Sequence, residues 1–398
     1  MAAFTVTTGT IGHINNSPFA TTASGMANAP YTLAAWPPPL PAPAAAVTTK
    51  FLYAGIPATQ KGGVITRLLG RQLVGTVTGG ILMMPINGDH TLGTAQMFAT
   101  GSDDFDPLAV TPSPGNFLYA IDLTTNHLAA FSIDSSKGTL TAIGPQGPPV
   151  GVAVGPDAFN VVVDPQGKFV FVANCDCVTH PQNLGSVQVF SINADGTLSS
   201  VGTFVPGGVV TAQPIALAIS PDSKFLFIAS LDNKVYVETV TNGSLVDQGN
   251  AALPAGSTPV SIAVSTDGNY VYTGNASSQT VSVFLNCLQA TQPTGCPAPG
   301  NPPPPLAAPS INSSIETGGT VGVILSDPTN PTPSSTTTTA ASGFLYVTDY
   351  DHGVIRSFSI ISTNACVGVA QCIPGTLTLS GAVGNTGGVN PFGLAIAH

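Results

Sequence analysis

A repeat with six copies constrains the fold of this chain more than any other feature. Each copy starts with Lys, Asn or Gly and continues with an aromatic, an aliphatic and a second aromatic residue. The copies are Lys50-Phe-Leu-Tyr, Asn116-Phe-Leu-Tyr, Lys168-Phe-Val-Phe, Lys224-Phe-Leu-Phe, Asn269-Tyr-Val-Tyr and Gly343-Phe-Leu-Tyr. Aromatic and branched residues favour strands. A signature that recurs at variable spacing predicts a repeat architecture with insertions.

The same types of predicted strand precede and follow each copy of the repeat. A short apolar segment precedes it, and a seventh such segment, Pro391-Phe-Gly-Leu-Ala-Ile, occurs near the end of the sequence. An alternating strand such as Ser186-Val-Gln-Val-Phe-Ser-Ile follows, and a turn of the type Gly196-Thr-Leu then begins a fourth strand. Four antiparallel strands per repeat make a propeller blade. The sequence therefore predicts one all-β domain over residues 1–398, a seven-bladed β-propeller.

The closing blade is predicted to combine both ends of the sequence. Ala2–Ile11 aligns with Ala129–Leu140, a third strand, a turn and a fourth strand, while the last segment supplies a first strand. The predicted blades span 30–101, 104–149, 155–208, 213–256, 258–319 and 320–388, and the closing blade combines 1–22 with 389–398.

One strand of the closing blade is missing from this pattern, because the second strand has only six copies. Three explanations are open. The blade has three strands and the termini pair directly, Val64–Leu69 fills the gap, or a neighbouring subunit donates a strand. Unpaired strand edges are templates for another chain. Donation would produce a head-to-tail filament.

The charge of the chain limits the kinds of molecule that it can bind. Only 7% of the residues are charged and the net charge is −10, so we expect no nucleic-acid partner. No apolar run is long enough to span a membrane. Low surface charge leaves little repulsion between copies, which favours self-association.

Six cysteines occur in three local pairs, Cys175/Cys177, Cys287/Cys296 and Cys366/Cys372. An even number in local pairs predicts disulfides and an oxidising compartment, hence a location outside the cell or on its surface. Zinc is the weaker alternative, because Cys175-Asp-Cys177 has no second matching pair nearby. We predict no cofactor and no bound metal at the cysteines.

Two groups of acidic residues are candidates for ligand or Ca²⁺ binding. Asp103, Asp104 and Asp106 lie in a connection leading to an inner strand. Asp349, Asp351 and His352 lie in a second-to-third turn on the same face. Carboxylates from loops can hold Ca²⁺. Asp also favours turns for purely local reasons, and this explanation is favoured because the two blades are not adjacent.

The blade pattern resembles the lactonase family of seven-bladed propellers and the related YVTN-type surface-layer repeats. The resemblance is carried by hairpins such as Ser220-Pro-Asp-Ser-Lys-Phe-Leu-Phe and turns such as Asp195-Gly-Thr-Leu. It implies the propeller fold and the hydrolysis of sugar lactones. It also implies Arg, His and Glu residues in and beside the innermost strands on one face.

This sequence departs from that pattern at the implied catalytic positions. The inner strands contain no Arg, and His398 is their only His. Glu238 and Glu316 do not match, and Arg356 is predicted to lie far from the channel. We therefore assign no catalytic residue. The favoured function is an exported non-catalytic scaffold or binding module that self-assembles into a filament or layer. A sugar-lactone hydrolase is one alternative, and a soluble extracellular receptor for carbohydrate or protein is another.

Overall fold

A computed structural model of the chain shows short antiparallel strands in succession. It describes residues 4–7, 10–13, 22–23, 26–27, 32–36, 50–56, 80–87, 92–98, 105–112, 115–144, 151–177, 185–208, 211–254, 256–297, 304–309, 314–319, 321–327, 341–361 and 374–385. Among these residues the only helical element is a 3-10 turn, Pro206–Gly208. No helix in the described part is long and apolar enough to cross a membrane.

Four short strands pair as two hairpins before the first blade. They are β1 (Phe4–Thr7), β2 (Thr10–His13), β3 (Thr22–Ala23) and β4 (Met26–Ala27).

Six sheets follow, and in each the first four strands pair in chain order; in the two sheets that have a fifth strand, this strand pairs with the third. Blade 1 contains β5 (Thr32–Trp36), β6 (Lys50–Ile56), β7 (Gly80–Ile86) and β8 (Gln96–Phe98). Blade 2 contains β9 (Phe105–Val110), β10 (Phe117–Asp122), β11 (His127–Ile133), β12 (Leu140–Ile143) and β13 (Val152–Ala153). Blade 3 contains β14 (Ala158–Val163), β15 (Phe169–Asn174), β16 (Ser186–Ile192) and β17 (Leu198–Phe204).

The second half of the chain repeats this plan. Blade 4 contains β18 (Pro214–Ile219), β19 (Phe225–Ser230), β20 (Lys234–Thr241) and β21 (Ser244–Ala252). Blade 5 contains β22 (Pro259–Val264), β23 (Tyr270–Asn275), β24 (Thr280–Asn286), β25 (Leu306–Ala307) and β26 (Ser314–Glu316). Blade 6 contains β27 (Val321–Asp327), β28 (Ala341–Asp349), β29 (Val354–Ile361) and β30 (Leu377–Asn385).

The first strands of successive blades lie side by side, in the order β5, β9, β14, β18, β22 and β27. They therefore line the middle of the molecule, and the fourth strands lie outermost. The predicted all-β propeller of four-stranded antiparallel blades is confirmed. Since strand direction alternates within a blade, the second-to-third turns and the blade-to-blade connectors share one face. We call it the upper face.

The aromatic repeat joins each blade to the next. The first aromatic ring packs on the glycine of the third-to-fourth turn in the following blade, so closely that a Cβ on Gly138 would overlap Phe51. In blades 1, 2 and 5 the second aromatic residue is a tyrosine that donates its hydroxyl to the carbonyl of that glycine. These interblade tyrosine bonds are Tyr53 to Gly138 at 2.8 Å, Tyr119 to Gly196 at 3.0 Å and Tyr272 to Gly375 at 3.0 Å.

The closing blade is described only in part. The hairpin β1–β2 forms the predicted pair of strands, with Phe4 opposite His13, and β2 lies against β30 of blade 6. The segments 389–398 and Val64–Leu69, on which the three explanations of the missing strand depend, lie outside the described residues. The completion of this blade stays a prediction.

Candidate active site

Asp349 lies on the upper face, at the end of β28. It pairs with Val321, the first residue of the inner strand β27, and its side chain is fully buried. Its carboxylate receives the backbone N–H of His352 at 3.1 Å, within the turn that follows the strand. The sequence places an aspartate here because the second-to-third turn needs an acceptor for its backbone N–H groups.

His352 contacts the same carboxylate with its side chain. Its Nδ1 lies 2.8 Å from Oδ2 and 3.0 Å from Oδ1 of Asp349. An ionised carboxylate only accepts hydrogen bonds, so the proton is assigned to Nδ1 and the lone pair to Nε2. The side chain is 57% exposed. The buried carboxylate thus fixes the tautomer of an imidazole that faces solvent.

Arg356 supplies a cation to the same point. Its Nη2 donates to Asp349 Oδ2 at 2.8 Å, and the side chain is 22% exposed. Arg356 lies in the third strand of blade 6, β29, as predicted, and its side chain reaches the carboxylate at the end of the second strand. β28 and β29 pair Asp349 with Val354, so Arg356 is the diagonal neighbour of Asp349 on the same side of the sheet. The sequence does not reveal this contact, because it depends on the register of the hairpin.

No other described blade carries this charge set at the corresponding positions. The residue at the end of the second strand is Asp122, Asn174, Ser230 or Asn275 in blades 2 to 5. The residue corresponding to Arg356 is Ala129, Gln188, Tyr236 or Ser282. In blade 3 the caps are neutral amides, and Gln188 accepts from Gly155 N and Asn174 Nδ2. Burying charges costs more than burying amides, so capping alone does not explain Asp349, His352 and Arg356, which we call the charged trio.

The other predicted site residues are not part of this trio. Asp351 is exposed in the turn next to His352. Asp106 lies in β9 of blade 2, and Asp103 and Asp104 fall outside the described residues. Within the described part of the chain, no three His, Cys, Asp or Glu side chains are grouped to hold a metal. The Asp349 carboxylate, proposed for Ca²⁺, is instead held by Arg356 and His352.

Two of the three predicted disulfides lie in the described part. Cys175 and Cys177 are bonded directly after β15, and Cys287 is bonded to Cys296 after β24. The third pair, Cys366 and Cys372, falls outside the described residues.

Glu238 is a second buried carboxyl group, in β20 of blade 4. It is 4% exposed and accepts one hydrogen bond, from Gly207 N at 3.3 Å. Burial raises the pKa of Glu238 to about 7; the Gly207 bond lowers it, and the charge of Asp247 raises it. Asp247 is its cross-strand neighbour in β21. Sequence analysis assigned no role to Glu238, and no described cation pairs with it as Arg356 pairs with Asp349.

Solved structures with the same architecture include three bacterial propellers. An inferred 6-phosphogluconolactonase of Bacteroides fragilis is 18% identical, with a TM-score of 0.57 over 85% of this chain and 83% of its own. One of Bacteroides uniformis is 15% identical, with a TM-score of 0.56 over 86% and 83%. A protein of Lactobacillus plantarum is 20% identical, with a TM-score of 0.53 over 78% and 79%. At these identities the likeness shows the fold. No curated protein matches the sequence.

The family described as "Lactonase, 7-bladed beta-propeller" matches residues 71–292, which is more than half of the chain. This finding, with the lactonase descriptions of similar structures, contradicts the prediction of a non-catalytic scaffold. The physical reason for the error is that acid, base and cation were sought in the inner strands. In blade 6 the carboxylate, imidazole and guanidinium groups of the charged trio lie at the end of the second strand, in the turn and in the third strand. The predicted seven blades agree with the family description, and the chain belongs to this family of seven-bladed lactonase propellers.

Proposed function

We propose that the protein hydrolyses a sugar lactone at the charged trio of blade 6. The observation that carries the proposal is the contact of one buried carboxylate with both an exposed imidazole and a guanidinium group. Membership of the lactonase family supports this choice of reaction. The inferred activity of similar structures, 6-phosphogluconolactone hydrolysis, indicates the class of substrate.

His352 acts as the general base. Its Nε2 lone pair takes a proton from water, and the water oxygen bonds to the lactone carbonyl carbon. The imidazolium that forms is stabilised by Asp349, which lies 2.8 Å from Nδ1. General bases in this role accelerate reactions about 10²- to 10⁴-fold.

Arg356 stabilises the negative charge that develops on the carbonyl oxygen. A guanidinium group has five N–H donors, and one Nη2 bond to Asp349 leaves others for the substrate. When the tetrahedral intermediate collapses, the ring C–O bond breaks and the imidazolium Nε2–H returns its proton to the leaving oxygen. Lactone and water thus give the open hydroxy acid, and His352 returns to its neutral form.

Lactone turnover by the purified full-length chain tests the proposal. Glucono-1,5-lactone and its 6-phosphate are the substrates, and acid release is followed above the spontaneous rate. We expect His352→Gln and Arg356→Gln each to lower kcat/KM about 100-fold, because the first loses the base and the second the cation. Asp349→Asn is expected to lower it by a similar factor, because an amide no longer fixes the Nδ1–H tautomer.

Asp122→Asn is the matched control. Asp122 occupies the same strand position in blade 2, but its carboxylate accepts only from its own turn, from Thr124 N at 2.9 Å and Thr125 Oγ1 at 2.6 Å among others. This variant should keep wild-type turnover. A wild-type protein no faster than buffer, or a His352→Gln variant as active as wild type, would show that the proposal is wrong.

A further inference from the structure

The connector between blades 5 and 6 passes directly over the charged trio. Its described residues are Thr317, Gly318 and Gly319, between β26 and β27. Thr317 anchors it to the second-to-third turn of blade 5, since both its N–H and its hydroxyl lie within hydrogen-bond distance of Gln279 O, at 2.9 Å and 2.8 Å. The hydroxyl also lies 2.8 Å from Gly319 O. The connector is therefore fixed at one end before it reaches blade 6.

Gly319 is required by the carboxylate beneath it, and Gly318 by its backbone conformation. A Cβ on Gly319 would overlap the carboxylate of Asp349. A Cβ on Gly318 would lie 3.2 Å from Arg356 Nη2, and Gly318 has a φ of +77°. Residues other than glycine rarely adopt that backbone conformation. The two glycines let the backbone close over the carboxylate, whose side chain has no exposed surface.

We infer that Thr317–Gly319 is a positioning element for the catalytic dyad, which consists of Asp349 and His352. The inference rests on the proposed function. By covering Asp349 without displacing it, the connector keeps water from competing for the carboxylate. The carboxylate then stays on His352 Nδ1 and Arg356 Nη2, so the imidazole keeps its Nε2 lone pair toward solvent. Thr317, Gly318 and Gly319 touch no reacting atom in this scheme and act through Asp349.

Two other connectors provide matched controls. In the connector to blade 3, a Cβ on Gly155 would lie 2.9 Å from Asn174 Cγ, the neutral residue that corresponds to Asp349. In the connector to blade 5, Gly256 has the same φ as Gly318, +77°, and a Cβ there would meet nothing within 4 Å. Gly155→Ala thus crowds the residue that corresponds to Asp349 without the trio, and Gly256→Ala repeats the backbone strain of Gly318 without crowding.

The test compares Gly319→Ala with these controls by kinetics and by NMR. We expect Gly319→Ala to lower kcat at least tenfold with KM changed less than threefold. The substitution disturbs the contact between Asp349 and His352, whereas the solvent-exposed surface that the substrate approaches is unchanged. In ¹⁵N-histidine-labelled protein, the His352 signals, assigned by their absence in His352→Gln, should show Nδ1–H in wild type. In Gly319→Ala this tautomer should give way to a mixture. Gly155→Ala and Gly256→Ala should keep wild-type kcat and the Nδ1–H signals.

Thr317→Val is the second variant, for use if Gly319→Ala does not fold. It removes only the anchoring hydroxyl and should shift kcat and the His352 signals in the same direction. Unchanged His352 signals in both variants, or an equal loss of kcat in Gly155→Ala, would overturn the inference. If wild type hydrolyses neither lactone, the proposed function fails, and the His352 signals alone still decide whether the connector positions the imidazole.

Discussion

Two buried carboxyl groups in this molecule have opposite surroundings. Asp349 contacts an imidazole and a guanidinium group. Glu238 has one long hydrogen bond from a backbone N–H and a like charge, Asp247, across the strand pair. Buried charges need partners. Asp349 is therefore suited to stabilising a cation, whereas Glu238 favours its neutral form.

Glu238 should make stability depend on pH. Its folded pKa, about 7, lies above its ordinary value of 4.5. Ionisation therefore costs free energy in the folded state. Stability contributed by the bound proton is complete below pH 4.5 and is lost as the pH rises to 7. We expect Glu238→Gln to raise the free energy of unfolding at pH 8 by roughly 2 to 3 kcal/mol, and to change it little at pH 4.

Urea unfolding of the wild type and of Glu238→Gln at pH 4, 6 and 8 measures the difference in their free energies of unfolding. Glu316→Gln, which alters an exposed carboxyl in β26, is the control and should show no such trend. A Glu238→Gln variant that gains the same stability at every pH would exclude ionisation as the cause.

The charged trio could be predicted from the sequence only in part. Asp349 and His352 attract attention because an aspartate and a histidine stand in one predicted turn. Arg356 cannot be recognised in this way, because its contact with Asp349 depends on the register between β28 and β29. In the structure this register places Asp349 opposite Val354. Nothing in the sequence distinguishes Gly318 and Gly319 from the other glycines of a chain that contains 44. Their importance follows from the path of the backbone over Asp349.

At the scale of elements, the aromatic repeat explains both the strands and their assembly. The sequence shows that aromatic residues recur, and this is sufficient to predict the blades. It does not show that Tyr53 reaches the carbonyl of Gly138, 85 residues later. Burial, with a smaller contribution from Asp134, raises the pKa of Tyr53, so its hydroxyl stays protonated and remains a donor.

Removing an interblade tyrosine bond should destabilise the ring. We expect Tyr53→Phe, Tyr119→Phe and Tyr272→Phe each to lower the free energy of unfolding by about 1 to 2 kcal/mol, because each leaves a buried glycine carbonyl without its partner. Denaturant midpoints measure the loss. Phe171 occupies the corresponding position in blade 3 without a hydroxyl, so Phe171→Leu, which has no such bond to lose, tests the contribution of the ring alone. Tyrosine variants as stable as wild type would show that water replaces the bond.

At the scale of the whole molecule, the disulfides indicate the kind of compartment in which the protein functions. We propose an oxidising compartment, because both cysteine pairs in the described part are bonded and such bonds persist outside the reducing cytosol. Self-association likewise stays a prediction.

Natively isolated protein should contain no free thiols, as measured by alkylation and mass spectrometry without reductant. Cys287 and Cys296 are nine residues apart. By loop-closure entropy, replacing both with serine should cost about 2 to 3 kcal/mol. The double variant should also be less sensitive to dithiothreitol than wild type. Free thiols throughout the native protein would contradict the oxidising compartment.

The interblade tyrosine bonds are unevenly distributed among the described blades. Phe171 and Phe227 stand where the other described blades have tyrosine, so blade 4 is joined to both neighbours without that bond. Glu238 contacts the connector at one of these joints through Gly207. In a ring of seven, the joint between blades 3 and 4 lies opposite the closing blade. We therefore expect blade 4 to be held less tightly by its neighbours than the other described blades are, and ionisation of Glu238 at alkaline pH to weaken the joint between blades 3 and 4 further.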